Sequence, residues 1–301
     1  MTVGGTTLLT ASNAIYRLIA AAFLAVALTA LTASSLRAAS GALQQHKSEL
    51  EKTLPAGFVL VIQPPFIVLG DESAEALRMH ATHTVNWAVD KLKLDFFQKD
   101  PGEIIDIWLF RDNQSYTNHA WTLFHDVPTT RFGYYSAAHH ALVMNIATGR
   151  GTLVHEIVHP FMRANFPNCP PWFDEGLASL YEKCREKDGH IQGMINWRLE
   201  GLVKAIREGK TISFEKLTAL NAQDFYGNSN GANYSQYYGQ ARYLCYYLQE
   251  KGLLVKFYHQ FVANARANPS GLSTLKNVLG EPHMDAFKKK WEAFVLALPN
   301  T

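Results

Sequence analysis

The segment GTLVHEIVHPF, residues 151–161, is the feature that most constrains this 301-residue chain. It is an apolar run with two histidines four positions apart, which predicts a helix over residues 152–164. One turn and about 40° of rotation separate His155 from His159, so both imidazoles can reach one metal ion. Glu156 is rotated by about 100° and points beside such an ion, where a base for a water molecule belongs. The pattern also arises by chance in roughly one such chain in fifty, so two histidines that merely share a buried helix are the alternative.

A catalytic zinc site needs a third protein ligand as well as an open position. The segment PPWFDEGLASLY, residues 170–181, supplies Asp174 and Glu175 at the predicted start of a helix. Its apolar positions favour Glu175 as the residue that faces the first helix, and Asp174 is expected to cap the helix or to orient a histidine. Only 15 residues separate His159 from Glu175, which favours a shallow cleft. An ordinary capped surface helix is the alternative for this segment.

The remaining pattern predicts an α+β fold built in two parts. Residues 40–166 are expected to form a mixed sheet with helices and the helix of the HExxH motif. Two strands are predicted within 58–71, separated by Pro64 and Pro65, and further strands cover 103–110, 132–137 and 141–145, while a helix covers 73–94. Residues 167–301 are expected to form an all-helical lobe, with helices at 172–186, 195–207, 235–250, 253–265, 271–279 and 283–296. The metal motif lies where the two parts join, a common place for a ligand site.

Residues 1–39 have the pattern of a signal peptide or an N-terminal membrane anchor. Arg17 precedes an apolar run from Leu18 to Leu31, and small residues follow, which is the order of a secretory signal. The run is shorter than the roughly 20 residues that cross a bilayer, but its weakly polar flanks extend it. We therefore expect an exported protein, periplasmic or secreted, and a membrane tether through residues 18–33 is the alternative.

Composition argues against two classes of protein. The formal charge of +2 is small and the basic residues are dispersed, so we expect no nucleic-acid partner. The three cysteines Cys169, Cys184 and Cys245 cannot all pair within one chain, which excludes a disulfide-rich scaffold and leaves one bridge open. A bridge between Cys169 and Cys184 is disfavoured, because about twelve helical residues would hold them about 18 Å apart. The oligomeric state is left open.

HEIVH followed by PPWFDEGLASLY resembles the gluzincin zinc metallopeptidases, the thermolysin-like clan, and within it a small exported family with a W-x-x-E-G-x-A second motif. The two metal motifs carry the resemblance, and the order of elements agrees with it at the level of pattern. The resemblance implies a zincin-like fold and one zinc ion held by His155, His159 and Glu175. It also implies that Glu156 is the general base and then carries the proton to the leaving amine.

The resemblance further implies a tyrosine that donates a hydrogen bond to the tetrahedral oxyanion. Tyr238, at the head of YGQARYL, takes that position, although the many tyrosines of this segment make a packed aromatic helix face the alternative. In this clan a peptide substrate commonly pairs as an added strand along a sheet edge. Residues 132–137, FGYYSA, are the candidate edge, and a plain hairpin arm is the alternative.

The leading hypothesis is therefore a zinc metallopeptidase that hydrolyses a peptide or protein substrate with a zinc-activated water and Glu156 as base. One alternative is a catalytically inactive, peptidase-like zinc protein that acts as an extracytoplasmic peptide-binding or structural module. The presence of Glu156 argues against it, because a purely structural zinc site needs no base beside an open position. Another alternative is a membrane-tethered interaction protein with a coincidental motif, and the separate second motif argues against that. Substrate sequence and endo- or exopeptidase action are left open.

Overall fold

The computed structural model describes residues 38–227 and 232–299, without the side chains of residues 232–234. The chain divides into two compact units between Leu54 and Pro55. In the first unit, residues 38–53 form a helix, α1. The predicted signal peptide or anchor, with its candidate tether at residues 18–33, lies outside the described residues except for residues 38 and 39. Within the described ranges, no helix combines the length and the apolar character needed to cross a membrane.

A five-stranded mixed sheet, in the order β1-β2-β3-β5-β4, forms one layer of the second unit. Its strands are β1 (Val59–Gln63), β2 (Phe66–Gly70), β3 (Ile105–Phe110), β4 (Gly133–Ser136) and β5 (Ala141–Asn145). β1 and β2 pair antiparallel, as do β4 and β5, whereas β3 runs parallel to both of its neighbours. The central strands are completely buried, as expected for strands covered on both faces. The predicted strands are confirmed, and β4 lies at an edge of the sheet.

Helices cover the sheet. A continuous helical segment consists of α2 (Ala74–His80), a π-helical turn (Ala81–Asn86) and α3 (Trp87–Asp95), which confirms the helix predicted over 73–94. A further helix, α4 (Asn113–Phe124), was not predicted, because its apolar positions are too sparse to give a clear helical period. The metal-motif helix is confirmed as α5 (Arg150–Asn165), and it packs against both β4 and β5.

The C-terminal region is mostly helical, but the prediction that it is all helical is wrong. The helix expected over 172–186 is α6 (Pro171–Leu180), and a hairpin of β6 (Cys184–Lys187) and β7 (His190–Gly193) follows it. The hairpin turns at Asp188 and Gly189, which both have positive φ. An Asp-Gly pair favours such a two-residue turn, and the sequence contains this signal.

The other predicted helices are present, together with two short helices that were not predicted. They are α7 (Arg198–Arg207), α8 (Phe214–Ala219), α9 (Ala222–Tyr226), α10 (Ala232–Glu250), α11 (Leu254–Asn264), α12 (Leu272–Leu279) and α13 (Met284–Leu296). The fold class is therefore α+β, as predicted.

A single apolar core extends from the sheet into the C-terminal helices. The boundary predicted between residues 166 and 167 lies inside this unit. α6 packs between α5 and α10. Gly176 permits the close contact of α6 with α10, since a Cβ there would lie 3.0 Å from Sγ of Cys245 and 3.1 Å from the carbonyl oxygen of Ala241. The core thus fixes α6 beside the metal-motif helix. All three cysteines are free thiols.

Candidate metal site and its cleft

One face of α5 is buried and the other carries polar residues toward a cleft. The buried face consists of Leu153, Val154, Ile157, Val158, Phe161 and Met162. His155, Glu156 and His159 line the cleft, with Arg163 one turn further on. Packing of the apolar face against the sheet therefore sets the direction of the histidines. Pro160 follows His159 inside the helix and supplies no N–H to the carbonyl of Glu156.

α6 brings the third candidate ligand to the two histidines. Pro171 occupies its first helical position, where a missing N–H costs no helical hydrogen bond. Glu175 Oε2 lies 3.4 Å from Nε2 of His155 and 3.9 Å from Nε2 of His159. One ligand atom from each of the three residues falls within 4.8 Å of the others. Glu175 Oε2 is buried and has no hydrogen-bond partner among the described residues. The group can therefore hold a metal ion.

A carboxylate lies near the outer nitrogen of each imidazole, but only that of His159 is hydrogen-bonded to it. Asp174 Oδ1 lies 2.9 Å from Nδ1 of His159, which is the orienting contact that the sequence suggests for Asp174. The helix is capped at Pro170 instead, without a side-chain hydrogen bond, so Asp174 does not cap it. Glu182 Oε1 lies 3.4 Å from Nδ1 of His155. Such outer carboxylates fix the orientation of a ligating imidazole and increase its basicity.

Three residues at the site were missed by sequence reasoning. Arg198 donates two hydrogen bonds to Glu182, of 2.8 Å from Nε and 2.6 Å from a terminal nitrogen. The hydroxyl of Tyr226 donates to Glu175 Oε1 at 2.9 Å, so Oε1 is hydrogen-bonded and Oε2 is the oxygen that faces the imidazoles. Glu182 lies two residues beyond the end of α6, so helical spacing from Glu175 did not indicate it. Neither Arg198 nor Tyr226 has a local sequence signal, since each reaches the site only through the tertiary fold.

The surrounding charges shift the pKa values of the buried groups. Burial would lower the pKa of His155 and His159, but the neighbouring carboxylates outweigh it and raise the pKa of His159 to about 9 and that of His155 well above its usual range. Burial would raise the pKa of Glu175, yet the two imidazoles lower it to about 2. Arg198 and His155 likewise lower the pKa of Glu182 to about 2 against the effect of burial. Binding of a metal ion to these imidazoles would therefore compete with binding of protons.

A cleft of about 640 Å³ contains the cluster and is open to solvent. Glu156 and Tyr238, the two predicted catalytic residues, both line it, so all five predicted site residues meet in one place. Tyr238 is only 5% exposed, and the guanidinium of Arg198 stacks on its ring with the carbon 5.2 Å from the centroid. Both alternatives for Tyr238, a side chain in the cleft and a packed aromatic, therefore describe part of its environment.

Strand β4 forms one wall of the cleft. The carbonyl of Phe132 accepts a hydrogen bond from the N–H of Asn145 at 2.9 Å, which marks this pair as hydrogen-bonded within the antiparallel ladder. Because such pairs alternate along the strand, the N–H and C=O groups of Gly133 and Tyr135 point away from β5. The open edge beside the metal cluster thus offers backbone donors and acceptors.

Comparison with known proteins adds no assignment: no family model matches the chain, and neither does any curated protein. The chemistry of the cleft follows from its own residues. A half-buried carboxylate, Glu156, lies beside a three-residue metal-binding group and an open strand edge. This arrangement can bind an extended chain and move a proton next to a cation.

Proposed function

We propose that the protein is an exported zinc metallopeptidase of the gluzincin type. The observation that carries the proposal is the meeting of three possible metal ligands. His155 and His159 lie close to Oε2 of Glu175, a buried oxygen without a hydrogen-bond partner among the described residues. Two imidazoles and one carboxylate form a ligand set typical of catalytic zinc, with the fourth position open. When bound, zinc supplies Lewis-acid chemistry that makes water a nucleophile at neutral pH and polarises a carbonyl.

Glu156 is the proposed base. Its half-buried carboxylate lines the cleft next to His155 along the helix. It takes a proton from the water that attacks the peptide carbonyl and then gives that proton to the leaving nitrogen. Tyr238 is the proposed donor to the oxyanion, because it lines the cleft and belongs to the helix that the resemblance indicates. Tyr226 is assigned a different role, since its hydroxyl holds Glu175.

The substrate is proposed to be an extended peptide that adds a strand to β4. The outward backbone groups of Gly133 and Tyr135 would pair with it, and such pairing depends little on side-chain sequence. The strand wall and the metal cluster face one cleft, so a paired peptide would bring a carbonyl toward Glu156.

The proposal is tested by zinc content and peptide hydrolysis of the wild type and of Glu156→Gln. We expect one zinc ion in each protein, and a loss of hydrolysis of at least about 100-fold in the variant, the lower range for general-base removal. Hydrolysis that survives in Glu156→Gln would remove Glu156 from the mechanism. One zinc ion per chain without cleavage of a broad peptide library would favour an inactive peptide-binding protein. A wild type that folds without binding zinc would end the metal-site proposal.

A further inference from the structure

Arg163 is a cationic residue of the cleft that the proposed mechanism does not use. It is exposed and lies one turn beyond His159 on the same face of α5. Its guanidinium carbon lies over the ring of Tyr135 in β4, 4.6 Å from the ring centroid. Both residues line the cleft. Arg163 therefore bridges the metal-motif helix and the strand wall on which a peptide would lie.

No carboxylate among the described residues forms an ion pair with Arg163, and its neighbours are committed to other groups. Glu103, which accepts a hydrogen bond from the hydroxyl of Tyr135 at 3.4 Å, is paired with His140 at 2.7 Å. In contrast, Arg198, the other arginine that lines the cleft, is engaged in the pair with Glu182. A guanidinium that lies over an aromatic ring has further N–H donors with which it can bind a carboxylate in a bidentate geometry.

The position of Arg163 relative to the metal cluster limits where a bound carboxylate would lie. Four helical residues advance about 6 Å along the axis from His159, and an extended peptide rises about 3.3 Å per residue. For a peptide that runs alongside α5, a carboxylate on Arg163 would thus belong to a residue about two positions from the bond that is cut. Glu156 lies about 10 Å back along the helix, which is about one Debye length at physiological salt, so its repulsion is largely screened.

We propose that the cleft selects peptides with a carboxylate about two residues from the scissile bond, and that Arg163 binds this group. The inference rests on the proposed function, because it assigns a substrate class to the same cleft. The carboxylate belongs to an acidic side chain or to the C-terminus of the peptide. In the first case the enzyme cuts next to acidic residues within a chain, and in the second it cuts near chain ends.

Arg131 offers a matched control. It carries the same charge, and its guanidinium stacks on the neighbouring ring of Phe132 with the carbon 5.0 Å from the centroid. Arg131 itself does not line the cleft. A general effect of positive charge on acidic peptides would appear in Arg131→Gln and Arg163→Gln alike, whereas a specific carboxylate site would be lost in Arg163→Gln alone.

The test is peptide binding to the full-length, zinc-loaded protein carrying Glu156→Gln, which separates binding from turnover. The probes are seven-residue alanine-leucine peptides, capped at both ends, with Glu or Gln at each position in turn, and the Gln peptides also with a free C-terminal carboxylate. We expect one carboxylate-bearing set to bind about tenfold more tightly than its uncharged counterpart, as for a charge-assisted bidentate contact. Adding Arg163→Gln should abolish this preference, and adding Arg131→Gln should preserve it.

A preference that persists in Arg163→Gln, an equal affinity for Glu and Gln peptides, or the absence of binding by every peptide would overturn the inference. The two peptide sets decide between an internal acidic residue and a chain terminus. Cleavage of neutral and acidic peptides at equal rates would leave the peptidase proposal standing without the assignment to Arg163. Selective binding of the carboxylate peptides without cleavage by the unsubstituted protein would support the assignment to Arg163 and contradict the peptidase proposal.

Discussion

Two regions of the molecule place histidine beside a buried carboxylate, and they differ in what the carboxylate meets. In the cleft, one oxygen of Glu175 approaches two imidazoles and has no hydrogen-bond partner among the described residues. In the other region, where the end of α3 meets the β6–β7 hairpin, Oδ1 of Asp95 lies 2.5 Å from Nδ1 of His190. A second imidazole, of His259, approaches the backbone carbonyl of Asp95 instead of its carboxylate. The first region leaves a ligand atom for an ion, and the second satisfies its carboxylate with one histidine.

The difference shows that proximity of histidine to carboxylate is a poor criterion for a metal site. His190 has a side chain that is 58% exposed, so the surrounding water weakens its attraction to Asp95. In the cleft cluster His155 is buried and the side chain of His159 is only 13% exposed, and each imidazole has a carboxylate near its outer nitrogen. Convergence of ligand atoms, together with outer contacts that fix the ligands, is what separates the two regions.

Removal of the carboxylate from each region gives the sharpest contrast. We expect Glu175→Ala to lower zinc affinity by more than about 100-fold, because loss of a ligand should exceed the effect of losing an outer contact. Asp95→Ala should leave zinc affinity unchanged. Competition with a chromophoric chelator measures both, and circular dichroism verifies that each variant is folded. Equal losses of zinc affinity in the two variants would show that converging ligand atoms do not distinguish a metal site from an ordinary pair of histidine and carboxylate.

The outer contact of His155 should have a smaller effect. Glu182→Gln keeps the size of the side chain but removes the charge facing Nδ1 of His155, and we expect zinc affinity to fall by about 10- to 100-fold. Glu186→Gln is the matched control, because Glu186 is an exposed carboxylate on β6 that contacts Lys91 and Trp87. Titration calorimetry with zinc compares the two variants. An unchanged affinity in Glu182→Gln would assign this carboxylate to the support of Arg198 alone.

A further expected effect, on stability and not on zinc affinity, concerns the close approach that places Glu182 beside α5. A Cβ at Gly151 would overlap the carbonyl oxygen of Glu182, so Gly151→Ala should lower the free energy of unfolding by about 1–3 kcal/mol. Gly201, in α7, has open space around its missing side chain, and Gly201→Ala should raise that free energy by about 0.5–1 kcal/mol. Urea unfolding of the metal-free proteins gives both values. A Gly151→Ala protein as stable as the wild type would mean that the α5 terminus yields at little cost.

The sequence predicted the elements whose side chains repeat a clear period and the ligands that belong to local motifs. α5, α6 and the strand pairs follow from apolar spacing, and His155 and Glu175 follow from the helices that carry them. The first residues of β6, 184–186, were assigned to the end of a helix, and β7 and the Asp188-Gly189 turn beyond them were left without a predicted element. In α4, sparse apolar positions gave no period to recognise.

The outer part of the site could not be predicted for a different reason. Tyr226 and Arg198 come from α9 and from the start of α7, and no spacing relates them to the HExxH motif. Their contacts depend on how the C-terminal helices pack against α6, which a single sequence does not encode as a local pattern. Local motifs therefore identified the candidate ligands, and the tertiary fold supplied the residues that hold them.

The metal ligands and the tyrosine that supports them are joined by chain segments of different length, so the entropy of closing the two loops differs. His155 and Glu175 are 20 positions apart (175 − 155), so the chain between them closes a short loop on two neighbouring helices. The hydroxyl of Tyr226 reaches Glu175 across 51 positions. Since each doubling of a flexible loop adds only about 0.6 kcal/mol to its closure, lengthening the chain between α6 and α9 costs little entropy. Residues added there could enlarge the wall of the cleft while the α5–α6 pair continued to hold the same ligands.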